Sequence, residues 1–217
     1  MNDLRSVWEH AFRALGTVPP DAPLRDLLAR YAEPHRTYHT IAHLAACFAT
    51  LDVVAHEAER PAEVVLALWF HDAIYDPTRT DNEVRSGLLA RQCLAAAGVD
   101  DAVAGRVEAA ILATRHADVE LVGDALVVVD VDLSILGASA DAYDAYARGV
   151  RREYAWVDEA RFRAGRTSFL RGLLARRRIF GTRSLGARLE EPARANLRRV
   201  LSRLDPLGPG RPEGDTR

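Results

Sequence analysis

Three separate stretches of this chain carry side chains that can work together on a metal ion. Val64 to Phe70 is an apolar run that ends in the adjacent pair His71-Asp72. A histidine and an aspartate at the end of a buried helix are costly to desolvate unless something pairs or coordinates them. His43 lies upstream, and Asp130 and Asp132 lie far downstream within LVVVDVDLSILG. A divalent cation takes oxygen and imidazole ligands of this kind, and hydrolytic catalysis leaves a coordination position to water. His43, His71, Asp72 and one of Asp130 or Asp132 therefore form a candidate donor set spread over different apolar helices. Asp76 stays outside it, because a loop position beside Pro77 accounts for an aspartate there.

The elements that must hold these residues read as helices. Leu4, Trp8, Phe12 and Leu15 recur at helical spacing until Gly16, and Leu24, Leu27, Leu28 and Tyr31 mark a second helix ended by Pro34. From Thr40 onward Ile41, Leu44, Phe48, Leu51 and Val54 form a third stripe, and His39 and His43, four apart, share a face if that helix begins early enough. Pro61 suits the first turn of a helix that is apolar nearly all round and carries His71-Asp72 at its end. Thr80 and Glu83 have capping-box spacing, which predicts a helix running to Gly98, and another from Asp101 to Thr114 ends near His116. Leu126 to Val131 suits a buried strand as well as a helix. Helices are expected from Ser139 onward, from Thr167 to Arg177 and from Glu190 to Leu204, while residues 206–217, rich in proline and glycine, read as a flexible tail. About ten helices, one doubtful strand and no clear linker predict an all-α single domain over residues 1–205.

Composition narrows the classes further. The 217 residues are 48% apolar and 28% charged with a net charge of −2, which excludes wholesale disorder and does not call for nucleic acid as an obligate partner. All 29 basic residues are arginine, since the sequence has no lysine. Cys47 and Cys93 sit in apolar helical patterns without metal-ligand spacing, as buried free thiols in a reducing compartment do. The first ten residues lack the pattern of a signal peptide and no run is long and uncharged enough to span a bilayer, so a cytoplasmic protein without a membrane partner is expected. Oligomeric state is not legible in these residues.

An early histidine, an adjacent His-Asp pair and a distant aspartate, in this order, resemble the signature of the HD superfamily of metal-dependent phosphohydrolases. The phrases RTYHTIAHL, WFHDAIYDPTRTDNEVRS, ILATRHA, DVDLSILG and VRREY are similar to the bacterial phosphohydrolases of that superfamily, over roughly Arg36 to Phe180. Tyr38-His39 followed by His43 also resembles the start of the catalytic domain of cyclic nucleotide phosphodiesterases. The resemblance implies a single HD-type helical bundle with His39 as a catalytic acid, His43 as first metal ligand, and His71 and Asp72 as the second and third. An aspartate directly before leucine is the fourth ligand in the phosphodiesterases, which selects Asp132 over Asp130. No further histidine follows between positions 73 and 82, so the implied cofactor is one divalent metal ion of unspecified identity.

The activity so implied is hydrolysis of a small phosphorylated substrate, a phosphomonoester or phosphodiester such as a nucleotide, by a metal-activated water. Asp72 would bind metal and orient that water, and His39 or His116 would protonate the leaving oxygen or hold the phosphate. Arg36, Arg79 and Arg115, close in sequence to these histidines, are candidates for the phosphate oxygens. Asn82 and Glu83 match the family's DNE phrase, although helix capping also explains Glu83. His116 can equally cap its helix, and Arg151, Glu153 and Tyr154 can line the pocket or belong to a charged helix face.

Rival readings make different demands. VVVDVDL resembles the strand-plus-DxD nucleophile motif of haloacid-dehalogenase-type phosphatases, but those enzymes generally need a lysine and alternating strands. An HD-fold oxygenase with a two-iron centre would require more histidines between the His-Asp pair and the last aspartate, where only His116 stands. A non-catalytic nucleotide-binding or regulatory module of the same fold would not need an intact ligand set.

Overall fold

A computed structural model describes residues 3–116 and 121–205, and the expected tail, residues 206–217, lies outside the described residues. Among the described residues there are ten α-helices, two short 3-10 turns and no strand. The helices are α1 (Leu4–Ala14), α2 (Asp21–Arg30), α3 (Ile41–Val54), α4 (Pro61–Phe70), α5 (Asn82–Ala96), α6 (Asp101–Ala113), α7 (Gly123–Asp132), α8 (Ala140–Glu153), α9 (Glu159–Ala175) and α10 (Arg183–Leu204). The all-α architecture is as expected, and the ambiguous Leu126–Val131 segment is helical. That removes the strand which the haloacid-dehalogenase motif requires. No helix among the described residues is long and apolar enough to cross a membrane.

α4 is the central element. Its residues Val64 and Leu66 to Phe70 are all buried, and it packs against α1, α5, α6, α7 and α3. Helix packing on so many sides is what an apolar sequence without a polar stripe predicts. Trp69 lies edge-on to Trp8 of α1 at 5.5 Å between ring centroids and meets Phe48 of α3 at the same distance. Full burial of a large apolar side chain is worth about 1.5–3 kcal/mol, so these rings anchor α4 firmly. Polar ties fix its position as well: Asp124 of α7 accepts hydrogen bonds from the backbone N–H groups of Glu59 and Arg60, and Glu63 forms a bidentate pair with Arg106 of α6.

Several boundaries differ from the sequence expectations for identifiable reasons. Thr80 and Glu83 do not form the expected capping box: α5 starts after Asp81, without a side-chain cap. Asn82 instead clamps the loop, accepting from the Asp76 N–H and donating to the Asp76 carbonyl, while Asp76 accepts from the backbone and hydroxyl of Thr78. α9 begins eight residues earlier than expected, because Asp158 caps it through the Arg161 N–H. α10 begins at Arg183 and carries the exposed Pro192 inside it.

Two close approaches set the walls of the future site. Gly149 of α8 lies against the segment before α3, where an added Cβ would stand 3.0 Å from Tyr38 Cβ, and its carbonyl accepts from the Thr37 hydroxyl. Gly137 meets α10 so tightly that a Cβ would fall 2.6 Å from Leu189 Cβ, and Asn196 of α10 donates to the carbonyls of Leu136 and Ala138. The turn that follows Asp132 is thereby held in place.

Candidate metal centre and cavity

Three helix ends converge on one buried point. Thr40 caps α3 by accepting from the Ala42 N–H, which places His43 in the first turn with its imidazole buried. The helix starts too late to include His39, contrary to the early start that would align it with His43, yet the two rings lie 5.7 Å apart because the preceding loop folds back. His71 caps the C-terminus of α4, followed directly by Asp72, and Asp132 is the last residue of α7.

Their donor atoms lie close together. His43 Nε2 stands 3.2 Å from His71 Nε2, 3.4 Å from Asp132 Oδ1 and 3.6 Å from Asp72 Oδ2. His71 Nε2 stands 3.2 Å from Asp72 Oδ2 and 3.7 Å from Asp132 Oδ1. Ligands about 2.0–2.2 Å from a shared cation lie at about these separations from one another. Cys47, one turn beyond His43, brings its sulfur to 3.6 Å from His43 Nε2, and Cys47, His43, His71 and Asp132 each offer a ligand atom within 4.8 Å of the others.

The electrostatics of the cluster favour a cation. His71 Nδ1 lies 2.7 Å from the Leu68 carbonyl, so that nitrogen carries the proton as donor and Nε2 faces the cluster. Burial works to lower the His71 pKa, but the Asp72 and Asp132 carboxylates outweigh it and raise it well above the ordinary value. Burial would likewise raise Asp132, yet hydrogen bonds from His116, His43 and His71 hold it well below the carboxylate range, and His71 and His39 hold Asp72 down against the same effect of burial. Two largely buried carboxylates thus draw positive charge toward them, and a bound divalent cation would supply it more fully than a proton on His71 does. Burial pushes the Cys47 thiol up, which keeps it protonated where no cation is bound.

Asp130 and Asp132 separate cleanly. Two positions along a helix point about 200° apart, and Asp130 faces away, accepting from the Gly181 N–H and from both the N–H and the hydroxyl of Thr182. Asp132 alone reaches the histidines. His116 follows α6 with a positive φ of 54°, a left-handed conformation that costs a non-glycine residue about 1–3 kcal/mol, and sets its Nε2 3.1 Å from Asp132 Oδ2. Its buried Nδ1 has no hydrogen-bond partner among the described residues.

Above the donors opens a cavity of about 570 Å³. Its lining includes His39, Asp72, His116 and Asp132 together with the rings of Tyr38, Tyr75, Tyr146, Tyr154, Phe162 and Phe169. His39 Nδ1 is 2.7 Å from Glu153 Oε2, the same carboxylate oxygen to which the Tyr75 hydroxyl donates, while Oε1 accepts from the N–H groups of Thr37, Tyr38 and His39. Burial raises the Glu153 pKa, but the His39 contact and these N–H donors overcome it and bring it down to about 2. Glu153 thereby orients His39 with the imidazole's other edge toward the cavity. The sequence leaves Glu153 open between lining the pocket and belonging to a charged helix face, and does not pair it with His39. The missed signal is its position as the last residue of α8, where the helix dipole disfavours an acid that lacks another partner.

The arginines chosen for proximity to histidines fare differently. Arg36 is a correction: its side chain is wholly buried and it donates to Glu33 and to the carbonyls of His39, Asp72 and Ala73. It braces the His-Asp end of α4 and does not reach the cavity. Arg79 stands at the cavity rim in a bidentate pair with Asp81, and Arg115 is exposed and outside the lining. Asn82 is engaged by Asp76 and is also outside the lining, whereas Glu83 lies within it.

No protein-family model, curated protein or solved structure matches the chain.

Proposed function

We propose that the protein is a metal-dependent phosphohydrolase of the HD type, acting on a small phosphomonoester or phosphodiester, with His43, His71, Asp72 and Asp132 as the ligands of one divalent cation. The observation that carries this reading is the convergence of two imidazole nitrogens, 3.2 Å apart and each 3.2 to 3.7 Å from a carboxylate oxygen of both Asp72 and Asp132, beside a cavity large enough for a nucleotide-sized substrate. A divalent cation bound there would supply a water of lowered pKa and polarise a phosphoryl oxygen.

The chain's own residues account for the remaining demands. Asp72, partly open to the cavity, orients the attacking water. His39, held by Glu153, presents its free edge toward a leaving oxygen and carries the proton delivered to it. Tyr38, Tyr75 and Tyr146 exclude bulk water around the phosphate and offer faces to an apolar or aromatic leaving group. His116 steadies Asp132 from the opposite side to His43.

The test is metal analysis of the purified protein combined with a hydrolysis screen over nucleotides, cyclic nucleotides and sugar phosphates in Mn²⁺, Mg²⁺, Co²⁺ and Ni²⁺. Phosphate release that His71→Ala abolishes supports the reading. A metal-free protein, or one in which His71→Ala changes neither metal content nor turnover, overturns it. Two bound irons with oxygen consumption and no phosphate release would instead select the oxygenase alternative.

A further inference from the structure

The cavity contains one cation whose counter-charge the described residues do not provide. Arg166, midway along α9, is half-buried and lines the cavity. Its guanidinium lies over the rings of Tyr146 at 5.0 Å and Phe169 at 5.4 Å, and one nitrogen donates to the Tyr146 hydroxyl at 2.7 Å. Among the described residues no carboxylate pairs with it. The other two arginines of the lining are each paired: Arg79 with Asp81 and Arg161 with Asp158. An arginine cannot lose its proton to relieve partial burial. Aromatic faces, the Tyr146 phenol and the nearby Tyr143 phenol offset part of the desolvation, and the remaining N–H donors stay available in a fork that matches a phosphate or carboxylate.

The position of this charge matters. Arg166 stacks on Tyr146, whose ring lies 4.6 Å from Tyr38, and Tyr38 in turn lies 4.9 Å from His43. On the other side it stacks on Phe169, whose ring is 6.2 Å from His116. Aromatic rings thus stand between the guanidinium and the metal donors along both walls. Asp72 and Asp132 already offset a divalent cation, so the separation rests on the rings: they hold the guanidinium apart from a phosphate seated on the donors, which leaves Arg166 for a different group.

Resting on the reading that the cavity receives a phosphorylated substrate, we infer that Arg166 binds a second anionic group of that substrate, a further phosphate or a carboxylate, remote from the phosphate that is cleaved. Substrates with two separated anionic groups bridged by a flat or apolar body fit the cavity; a simple monophosphate leaves Arg166 unmatched. The chemical class is therefore a bis-anionic phosphate ester.

Two aryl phosphate probes test this by titration calorimetry: phenyl phosphate, with one anionic group, and 1,4-phenylene bisphosphate, with a second across the ring. The expected result is tighter binding of the bisphosphate to the wild type by at least ~10-fold, a preference erased in Arg166→Gln and partly restored in Arg166→Lys, with phenyl phosphate unaffected. The measurement is repeated in EDTA, where both probes weaken and the Arg166-dependent preference persists. That arm separates this inference from the metal reading, since a protein that bound no metal and hydrolysed nothing would still show the preference. Equal weakening of both probes by Arg166→Gln would place the reacting phosphate on Arg166 and overturn the inference. An unchanged preference in Arg166→Gln, or no binding of either probe to the wild type, would overturn it too. Thermal melting establishes that each variant is folded, and Arg166→Lys carries the test if Arg166→Gln is not.

Discussion

Asp130 and Asp132 stand two residues apart on α7, both largely buried, and the fold treats them in opposite ways. Asp130 has every demand met within the protein, by two N–H groups and a hydroxyl of the turn before α10. Asp132 meets three imidazoles and shares the cluster with a second carboxylate. The same contrast separates two arginines: Arg36 is saturated by carbonyls and Glu33, whereas Arg166 has the phenols of Tyr146 and Tyr143, two ring faces and, among the described residues, no carboxylate. Saturated groups hold the fold together. Groups left short of a partner mark where a ligand completes the structure.

This contrast can be broken at each group. The largest effect is expected from Asp132→Ala, which should weaken divalent-metal binding by more than ~100-fold, read by calorimetry and elemental analysis, while the metal-free protein stays folded because two like charges no longer share the site. Asp130→Ala should do the reverse: it strands two N–H groups and a hydroxyl, at about 1–3 kcal/mol for each one that water cannot reach, so the urea midpoint falls while metal stoichiometry is unchanged. Loss of metal in Asp130→Ala with unaltered stability would erase the distinction.

A third, pH-dependent test concerns Glu153, whose pKa is brought from the ordinary 4.5 to about 2. A carboxylate depressed in the folded state contributes stability that is fully present above its ordinary pKa and is lost as pH falls from about 4.5 through about 2. Denaturant unfolding should therefore show stability declining across that window, and less steeply in Glu153→Gln. The same slope in both proteins would mean that the carboxylate is not held as the His39 contact indicates. The smallest effect is expected at Cys47, whose thiol burial keeps protonated. Cys47→Ala should change metal affinity by less than ~3-fold, and a larger loss would promote the sulfur to a ligand.

The helices with regular apolar spacing were legible with near-correct bounds. α1 follows from Leu4, Trp8 and Phe12, and α4 from Pro61 and the unbroken apolar run after it. The starts of α9 and α10 were not, because Glu159 to Arg166 and Arg183 to Arg188 carry mainly charged and small residues on exposed turns, and their helicity comes from a cap and from packing. Leu126 to Val131 suits strand and helix alike, since the burial of Val127 to Val131 removes the periodicity that would distinguish them. In the candidate site, Arg36 was misplaced by sequence proximity. Glu153 reads equally as a pocket residue or part of a charged helix face, and Arg166 gives no signal, because charged residues on helices are ordinarily solvated.

By itself the sequence determined the helical class and a short set of histidines and aspartates at the ends of apolar helices, because periodicity and residue chemistry are local properties of the chain. Only the tertiary structure decided that Asp132 and not Asp130 joins His43, His71 and Asp72, that Arg36 is a brace, that Glu153 backs His39, and that Arg166 lines the cavity. Those outcomes depend on which side of a helix meets which neighbour. The decisive partners, such as Glu153 for His39 or the turn before α10 for Asp130, are brought from distant parts of the chain by packing alone.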